Sequence, residues 1–122
     1  MSIQTKKTGD EGEEIAAKLL AEKGFEILER NYRYKKGEID IVARDPATNC
    51  IVFVEVKSRK NLEYGEPEYG ITKNKMSQIR RMASAYQFDK DLSELECRFD
   101  VVTVLFRGKE KPLVNHYINA FM

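Results

Sequence analysis

The chain has 122 residues, of which 42% are apolar and 34% are charged. These values fit one domain with a hydrophobic core, over residues 1–122, and exclude a disordered chain. No stretch approaches the roughly 18 consecutive apolar residues of a membrane-spanning helix, and the N-terminal segment lacks the apolar core of a signal peptide. We therefore expect a cytoplasmic protein. Cys50 and Cys97 are too few and too isolated for a disulfide framework or a zinc site.

The net charge of +1 lacks the overall basic character of a small DNA-coating protein. Charge is nevertheless segregated along the chain. Residues 57–81 contain seven basic side chains against three acidic ones, and residues 30–36 contain four basic side chains and no acid, whereas residues 10–29 contain seven acids and two lysines. This distribution suggests a local patch facing a polyanion, although charge runs alone are usually solvated faces.

The first predicted element is a helix over about residues 10–23. Thr8 and Glu11 have the spacing of a capping box, and Gly24 stands where a left-handed C-terminal cap is expected. The apolar stripe at helical spacing is formed by Ile15, Ala16, Leu19 and Leu20.

Three strands are predicted next, over residues 25–33, 38–43 and 51–57, and the turns between them indicate a meander. The third strand is a nearly continuous β-branched and aromatic run, which is typical of a central strand buried on both faces. Alternation in the second strand predicts one face with Ile39, Ile41 and Ala43 and an opposite face with Glu38, Asp40 and Val42.

A charged loop from Ser58 to Gly70 precedes a second helix over about residues 73–88, with Thr72 as its N-cap. A strand over residues 98–106 and a weaker one near 113–118 complete the chain. The predicted fold class is α/β, with helices packed on a mixed sheet. The apolar stripe of the second helix is Met76, Ile79, Ala83 and Tyr86.

Charged residues occur inside two neighbouring predicted strands, where burial of an ion is normally costly. Side-chain alternation places Glu38 and Asp40 on one face of the second strand, and Glu55 and Lys57 on one face of the third. If these strands are adjacent, the four side chains converge at one end of the sheet. The opposite face of the third strand carries Val52, Val54 and Val56.

Three like-charged carboxylates cannot share such a place unless protonation, a cation or solvent relieves their repulsion. Mg²⁺ does this well because it prefers oxygen ligands. Lys57 would sit beside the metal and could orient or activate a water. The arrangement suits attack of hydroxide on a phosphodiester.

Glu13 in the first helix is a further candidate. It lies three, four and seven residues before Ala16, Ala17 and Leu20, and therefore on the sheet-facing side of the helix, where it can reach the edge of the same site. The alternative is a helix-start carboxylate stabilised by the helix dipole.

The other candidates also have simpler interpretations. Glu55 and Lys57 could form an ion pair at an exposed strand end, and Glu38 and Asp40 could be the polar side of an edge strand. Their joint occurrence in adjacent elements, followed by a basic loop, favours a functional site.

The segments Gly37-Glu38-Ile39-Asp40 and Phe53-Val54-Glu55-Val56-Lys57 resemble the PD-(D/E)xK signature of restriction-endonuclease-like nucleases. From about Gly9 to Val104 the chain is similar to the YraN-type family of uncharacterised bacterial proteins, whose relatives include archaeal Holliday-junction resolvases. The matching pieces outside the two segments are Gly12-Glu13 with Ala16, Arg30-Asn31-Tyr32-Arg33, Ser58-Arg59, Lys75 and Arg98-Phe99-Asp100.

This resemblance implies a restriction-endonuclease-like fold in the order helix-strand-strand-strand-helix-strand. It implies Asp40 and Glu55 as metal ligands, with the carbonyl of Val56 as a third. Lys57 would assist the nucleophilic water, and Glu13 would be an accessory ligand. Glu38 is additional to the pattern, and the resemblance gives it no role.

Residues outside this centre have weaker interpretations. Tyr64 and Tyr69 could stack on bases, although loop tyrosines are more often ordinary surface residues. Asp100 is expected to pair with a neighbouring base, and His116 is given no role. The expected phosphate contacts, which would position a duplex without reading its sequence, are Arg59, Lys60, Lys73 and Arg80.

The expected function is an endonuclease, dependent on Mg²⁺ or Mn²⁺, that acts on branched or structured DNA in repair or recombination. The alternative is a nucleic-acid-binding or adaptor protein that cleaves poorly or not at all, and a purely structural role for the carboxylates comes third. The near-neutral net charge and the short chain favour a partner, either a second copy or a helicase-type protein.

Overall fold

The computed structural model describes residues 3–60 and 72–120. Within them, helices and strands follow the predicted order. The elements are α1 (Ile3–Glu22), β1 (Glu26–Tyr34), β2 (Gly37–Asp45), β3 (Cys50–Arg59), α2 (Lys73–Asp89), β4 (Cys97–Arg107) and β5 (Glu110–Tyr117).

The five strands form one sheet in the order β1-β2-β3-β4-β5. Strands β1, β2 and β3 form the predicted antiparallel meander. Strand β4 is parallel to β3, and α2 lies in the connection between them, while β5 is antiparallel to β4. The predicted mixed α/β architecture is confirmed.

Helix α1 ends as predicted. Gly24 has a φ of 92°, and the N–H groups of Gly24 and Phe25 donate to the carbonyls of Ala21 and Leu20, each at 3.0 Å. Its start was predicted wrongly: the helix begins at Ile3, so Thr8 lies inside the helix and not at its N-terminus. Residues 3–7 contain neither glycine nor proline to stop the helix earlier.

Helix α2 begins at the predicted cap, where the hydroxyl of Thr72 accepts a 3.1 Å hydrogen bond from the N–H of Lys75. Its buried face covers one side of the sheet, and α1 covers the other. The core on the α2 side contains Ile39, Val42, Ile51, Phe53, Ile79, Met82, Ala83, Tyr86 and Val101. The core on the α1 side contains Ala16, Ala17, Leu20, Ile41, Ala43, Val52, Val54, Val102 and Val104.

Besides a register irregularity near the start of β1, side-chain alternation in the β1–β2 hairpin reverses at a second place. Ile39 packs on the α2 side of the sheet and Ile41 on the α1 side, although residues two apart in a regular strand share a face. Their partners in β1 reverse in step: Arg30, opposite Ile41, bonds to Glu14 of α1, and Tyr32, opposite Ile39, packs on α2. The prediction that Ile39 and Ile41 share one face is therefore wrong.

A buried polar network connects Asp45, the last residue of β2, with β4 and β5. Asp100 is fully buried and accepts hydrogen bonds from Arg98 at 3.0 Å and from His116 at 2.8 Å, and Arg98 also donates to Asp45 at 3.1 Å. We call these four residues the Asp100 cluster. The predicted pairing of Asp100 with a base is confirmed. His116, which was predicted to have no role, completes the cluster, and its side chain is 1% exposed.

The tautomer of His116 follows from its two neighbours. The ammonium group of Lys23 lies 2.9 Å from Nδ1, and it can only donate, so Nδ1 accepts and Nε2 carries the proton that is donated to Asp100.

Three smaller predictions have different outcomes. Cys50 is buried and Cys97 is exposed, and both are free thiols. Tyr64, Tyr69 and most of the predicted loop lie outside the described residues. Within the described parts, neither helix is long and apolar enough to cross a membrane.

Candidate metal centre

The reversal of alternation brings three acidic side chains together. Ile39 points to the α2 side, so its neighbour Glu38 lies on the α1 side of the sheet, where Glu13 is located. Asp40 lies between Ile39 and Ile41, at the position where the alternation reverses. One oxygen from each of Glu13, Glu38 and Asp40 lies within 4.8 Å of the others, and all three residues are half-buried. Among the residues with described positions, this is the one such group of potential metal ligands.

Glu13 reaches this position because α1 lies very close to β3. Gly12 is buried against Ser58, and a methyl group at residue 12 would overlap the Ser58 hydroxyl. Glycine therefore allows this close approach, because a side chain at residue 12 would force Ser58 to move. The next residue in the helix, Glu13, then faces the end of the sheet together with the buried Ala16, Ala17 and Leu20, as predicted.

Asp40 replaces a missing part of the sheet ladder. Pairing between β2 and β3 ends at Ile41 opposite Val54. Beyond that point the carboxylate of Asp40 accepts a 2.7 Å hydrogen bond from the N–H of Val56. The strands separate here, and one side-chain oxygen satisfies a backbone donor that would otherwise lack a partner.

Glu55 approaches Asp40 from the α2 side. Burial, together with the charge and hydrogen bonding of Asp40, raises the pKa of Glu55 to about 8. The positive charges of Lys75 and Lys57 oppose this shift. Asp40 therefore lies between two acids, with Glu13 on the α1 side and Glu55 on the α2 side.

Glu13 is perturbed in the same direction. Burial, the charge and hydrogen bonding of Asp40 and the nearby Glu38 raise the pKa of Glu13 to about 7. Two neighbouring carboxyl groups with raised pKa values mean that the full negative charge of the centre is disfavoured without a counter-charge. A divalent cation would supply that counter-charge, and the carboxylate oxygens present are the ligand type that Mg²⁺ and Mn²⁺ prefer.

The simpler interpretations of these carboxylates do not fit the geometry. Glu13 lies ten residues after the first residue of α1, Ile3, so it is not a helix-start carboxylate. Strand β2 lies between β1 and β3, so Glu38 and Asp40 are not on an edge strand. Glu55 is half-buried against Asp40 rather than exposed at a strand end.

The structure places the predicted residues in two groups. Glu13, Asp40, Glu55, Val56 and Lys57 lie in or next to the acidic centre. The expected phosphate contacts Arg59, Lys60, Lys73 and Arg80 are all exposed, on the end of β3, just beyond it and on α2.

Sequence reasoning missed two members of the centre. It left Glu38 without a role, although its carboxylate belongs to the group of three. It recorded Lys75 only as part of a resemblance, although its charge acts on Glu55 more strongly than that of Lys57. The position of Lys75 on the first turn of α2, directly after the basic loop, was the feature in the sequence that could have identified it.

Comparison with known proteins gives consistent matches along the chain. A "UPF0102 protein" of Trichlorobacter lovleyi is 46% identical over 113 residues, covering 93% of this chain and 88% of the relative. One from Desulforamulus reducens is 43% identical over 123 residues, covering 98% and 99%. One from Pelobacter propionicus is 42% identical over 116 residues, covering 95% and 83%.

The region that characterises the family spans both halves of the acidic centre. The match to the "Uncharacterised protein family UPF0102" covers residues 12–104, from Gly12 in α1 to Val104 in β4. On this match, and on relatives more than 40% identical over nearly the whole chain, the protein belongs to the uncharacterised family UPF0102.

Proposed function

We propose that the protein is a divalent-metal-dependent DNA endonuclease that acts on structured or branched DNA in repair or recombination. The observation that carries this proposal is the position of Asp40, in contact with Glu13 on one side and with Glu55 on the other, beside Lys57 and Lys75. Paired acids with adjacent ammonium groups suit phosphodiester hydrolysis because negative charge develops on the phosphate oxygens.

The residues have separate roles in this proposal. Asp40 and Glu55 hold the cation, together with the carbonyl of Val56. Glu13 and Glu38, each with an oxygen within 4.8 Å of one another and of Asp40, are accessory ligands. When bound, the cation supplies Lewis-acid stabilisation of the phosphate. Lys57 orients the attacking water, and the positive charge of Lys75 favours the ionised form of Glu55 that holds the cation. The proposed fold is the restriction-endonuclease-like arrangement, which the element order and the parallel β3–β4 pair support.

The direct test is cleavage of duplex, flap, single-stranded and four-way-junction DNA with Mg²⁺ or Mn²⁺. We expect wild-type protein to cut at least one substrate, and Asp40→Asn and Lys57→Ala to lose this activity. Glu110→Gln and Lys111→Ala, at exposed positions of β5, are the matched controls and should cut normally. Cleavage of no substrate, or equal cleavage by all variants, would refute the nuclease. DNA binding without cleavage would instead support the adaptor function.

The DNA-binding part of the proposal has its own measurement. Because Arg59, Lys60, Lys73 and Arg80 are exposed, we propose that they contact phosphates. Replacing Lys73 or Arg80 with Gln should weaken binding to all sequences alike and lower the slope of log affinity against log salt by about one unit. Lys111→Gln should leave the slope unchanged. A partner, either a second copy or a helicase-type protein, remains part of the proposal because the net charge is near zero.

A further inference from the structure

Asn31 occupies an unusual backbone position next to the acidic centre. It lies in β1 between Arg30, which is opposite Ile41, and Tyr32, which is opposite Ile39. By position in the hairpin it is opposite Asp40, at the step where side-chain alternation reverses in both strands. Its φ is 56°, in the left-handed region where asparagine is one of the few tolerated residues other than glycine.

The side chain of Asn31 is directed at two of the acids. With the amide nitrogen facing them, Nδ2 lies 3.2 Å from Glu13 Oε2 and 2.8 Å from Glu38 Oε1. With a cation bound, the carboxylates are ionised and only accept hydrogen bonds, so this orientation of the amide is the one that satisfies all three groups. One NH₂ group thus links an acid of α1 to an acid of β2.

We propose that Asn31 is a positioning residue that orients the carboxylates of Glu13 and Glu38 toward the cation of the proposed nuclease. The amide supplies two donors and no charge, so it fixes the two acids without neutralising them. A lysine or arginine at this place would compete with the cation. Hydrogen bonds of this kind, made to the groups that hold a metal, commonly change metal affinity by about 10- to 100-fold.

This proposal rests on the proposed function because it needs a bound cation. It also differs from a purely conformational role, in which Asn31 serves only to allow the left-handed backbone. The two roles are separable because glycine adopts the same backbone without strain but has no amide. Asn49 provides a matched control because it has a similar φ of 58°. It lies in the turn between β2 and β3, whereas the acidic centre is near Gly37, at the opposite end of β2.

The experiment is calorimetric titration of the intact protein with Mn²⁺, without DNA, for wild type, Asn31→Gly and Asn49→Gly, with thermal unfolding of each. We expect Asn31→Gly to bind Mn²⁺ about tenfold more weakly while still unfolding in one cooperative transition, and Asn49→Gly to bind like wild type. Equal affinity of Asn31→Gly and wild type would overturn the role of Asn31 and leave the nuclease standing. No Mn²⁺ binding by wild type would overturn both.

A second measurement in metal-free protein tests the hydrogen bonds themselves. The side-chain NH₂ resonances of Asn31, identified by their loss in Asn31→Gly, should shift in Glu38→Gln and in Glu13→Gln. Resonances that do not respond to either change would contradict the positioning role, even if Asn31→Gly bound Mn²⁺ weakly for another reason.

Discussion

The carboxylate of Asp40 accepts a hydrogen bond of 2.7 Å from the backbone N–H of Val56, across the point where β2 and β3 separate. One proposed metal ligand thus also closes the sheet. Asp40→Asn keeps an oxygen acceptor, whereas Asp40→Ala leaves the N–H without a partner. Both variants remove the same charge, so the difference between their stabilities reports on the hydrogen bond. We expect Asp40→Ala to be less stable than Asp40→Asn by about 1–3 kcal/mol in urea denaturation. Equal stability of the two variants would contradict this role.

The close contact of α1 with β3 predicts a rescue. Gly12→Ala places a methyl group against the Ser58 hydroxyl and should reduce stability by about 1–3 kcal/mol through overpacking. Ser58→Ala removes that hydroxyl, which is buried and has no hydrogen-bond partner in the described structure. The double variant should therefore recover most of the lost stability. Additive effects of the two changes in chemical denaturation would show that the two residues do not meet.

The Asp100 cluster predicts the acid limit of stability. Burial alone would raise the pKa of Asp100, but its hydrogen bonds to His116, Arg98 and the Asn119 backbone outweigh this and lower it below its usual 3.8. A lowered folded pKa contributes stability that is present above pH 3.8 and is lost as the pH falls through the lower value. We expect Asp100→Asn to be destabilised by about 3 kcal/mol at neutral pH and the difference from wild type to shrink in acid.

Chemical denaturation of wild type and Asp100→Asn at several pH values checks this expectation. Glu110→Gln, at an exposed position in β5, is the control and should follow the wild-type curve. A difference between wild type and Asp100→Asn that stays constant down to the lowest pH would contradict the lowered pKa.

The raised pKa values of Glu13 and Glu55, about 7 and about 8, predict the opposite pH dependence at the centre. Their protonated forms contribute stability that is fully present below the ordinary pKa of 4.5 and is lost as the pH rises through those values. Metal-free protein should therefore be less stable in mildly alkaline solution than Glu55→Gln is. Because a cation must displace these protons, Mn²⁺ should raise the melting temperature more above about pH 8 than below about pH 6.

Differential scanning fluorimetry with and without Mn²⁺ measures both effects across this range. A stabilisation by Mn²⁺ that does not depend on pH, or that is as large in Glu55→Gln as in wild type, would show that the cation binds elsewhere.

Most of the fold could be predicted because its elements have regular periodicity. The stripes of α1 and α2 and the apolar run of β3 each indicate their own element locally. The convergence of Asp40 and Glu55 could also be predicted, because consecutive strands of a meander are adjacent and bring the charged residues in their interiors close together. Contacts between distant segments could not: His116 and Asp100 are joined only by the pairing of β5 with β4.

The unpredicted part of the centre has one physical cause. A period of two predicts that Ile39 and Ile41 share a face, and no residue type near them indicates that the strand departs from it. Asn31 tolerates the left-handed conformation, but asparagine is also common at ordinary surface positions. The place of Glu38 among the acids therefore depends on a backbone irregularity that emerges only when β1 and β2 pair.

That irregularity also protects the hairpin from misalignment. In a regular pair of strands, a slip of two residues returns every side chain to its original face, so hydrophobic pattern alone resists it weakly. In this hairpin β1 and β2 change faces at the same step, between Arg30 and Tyr32 and between Ile39 and Ile41. Any slip would move one reversal away from the other and set apolar side chains against the wrong helix. The acidic centre therefore marks the single alignment in which the two strands can be assembled.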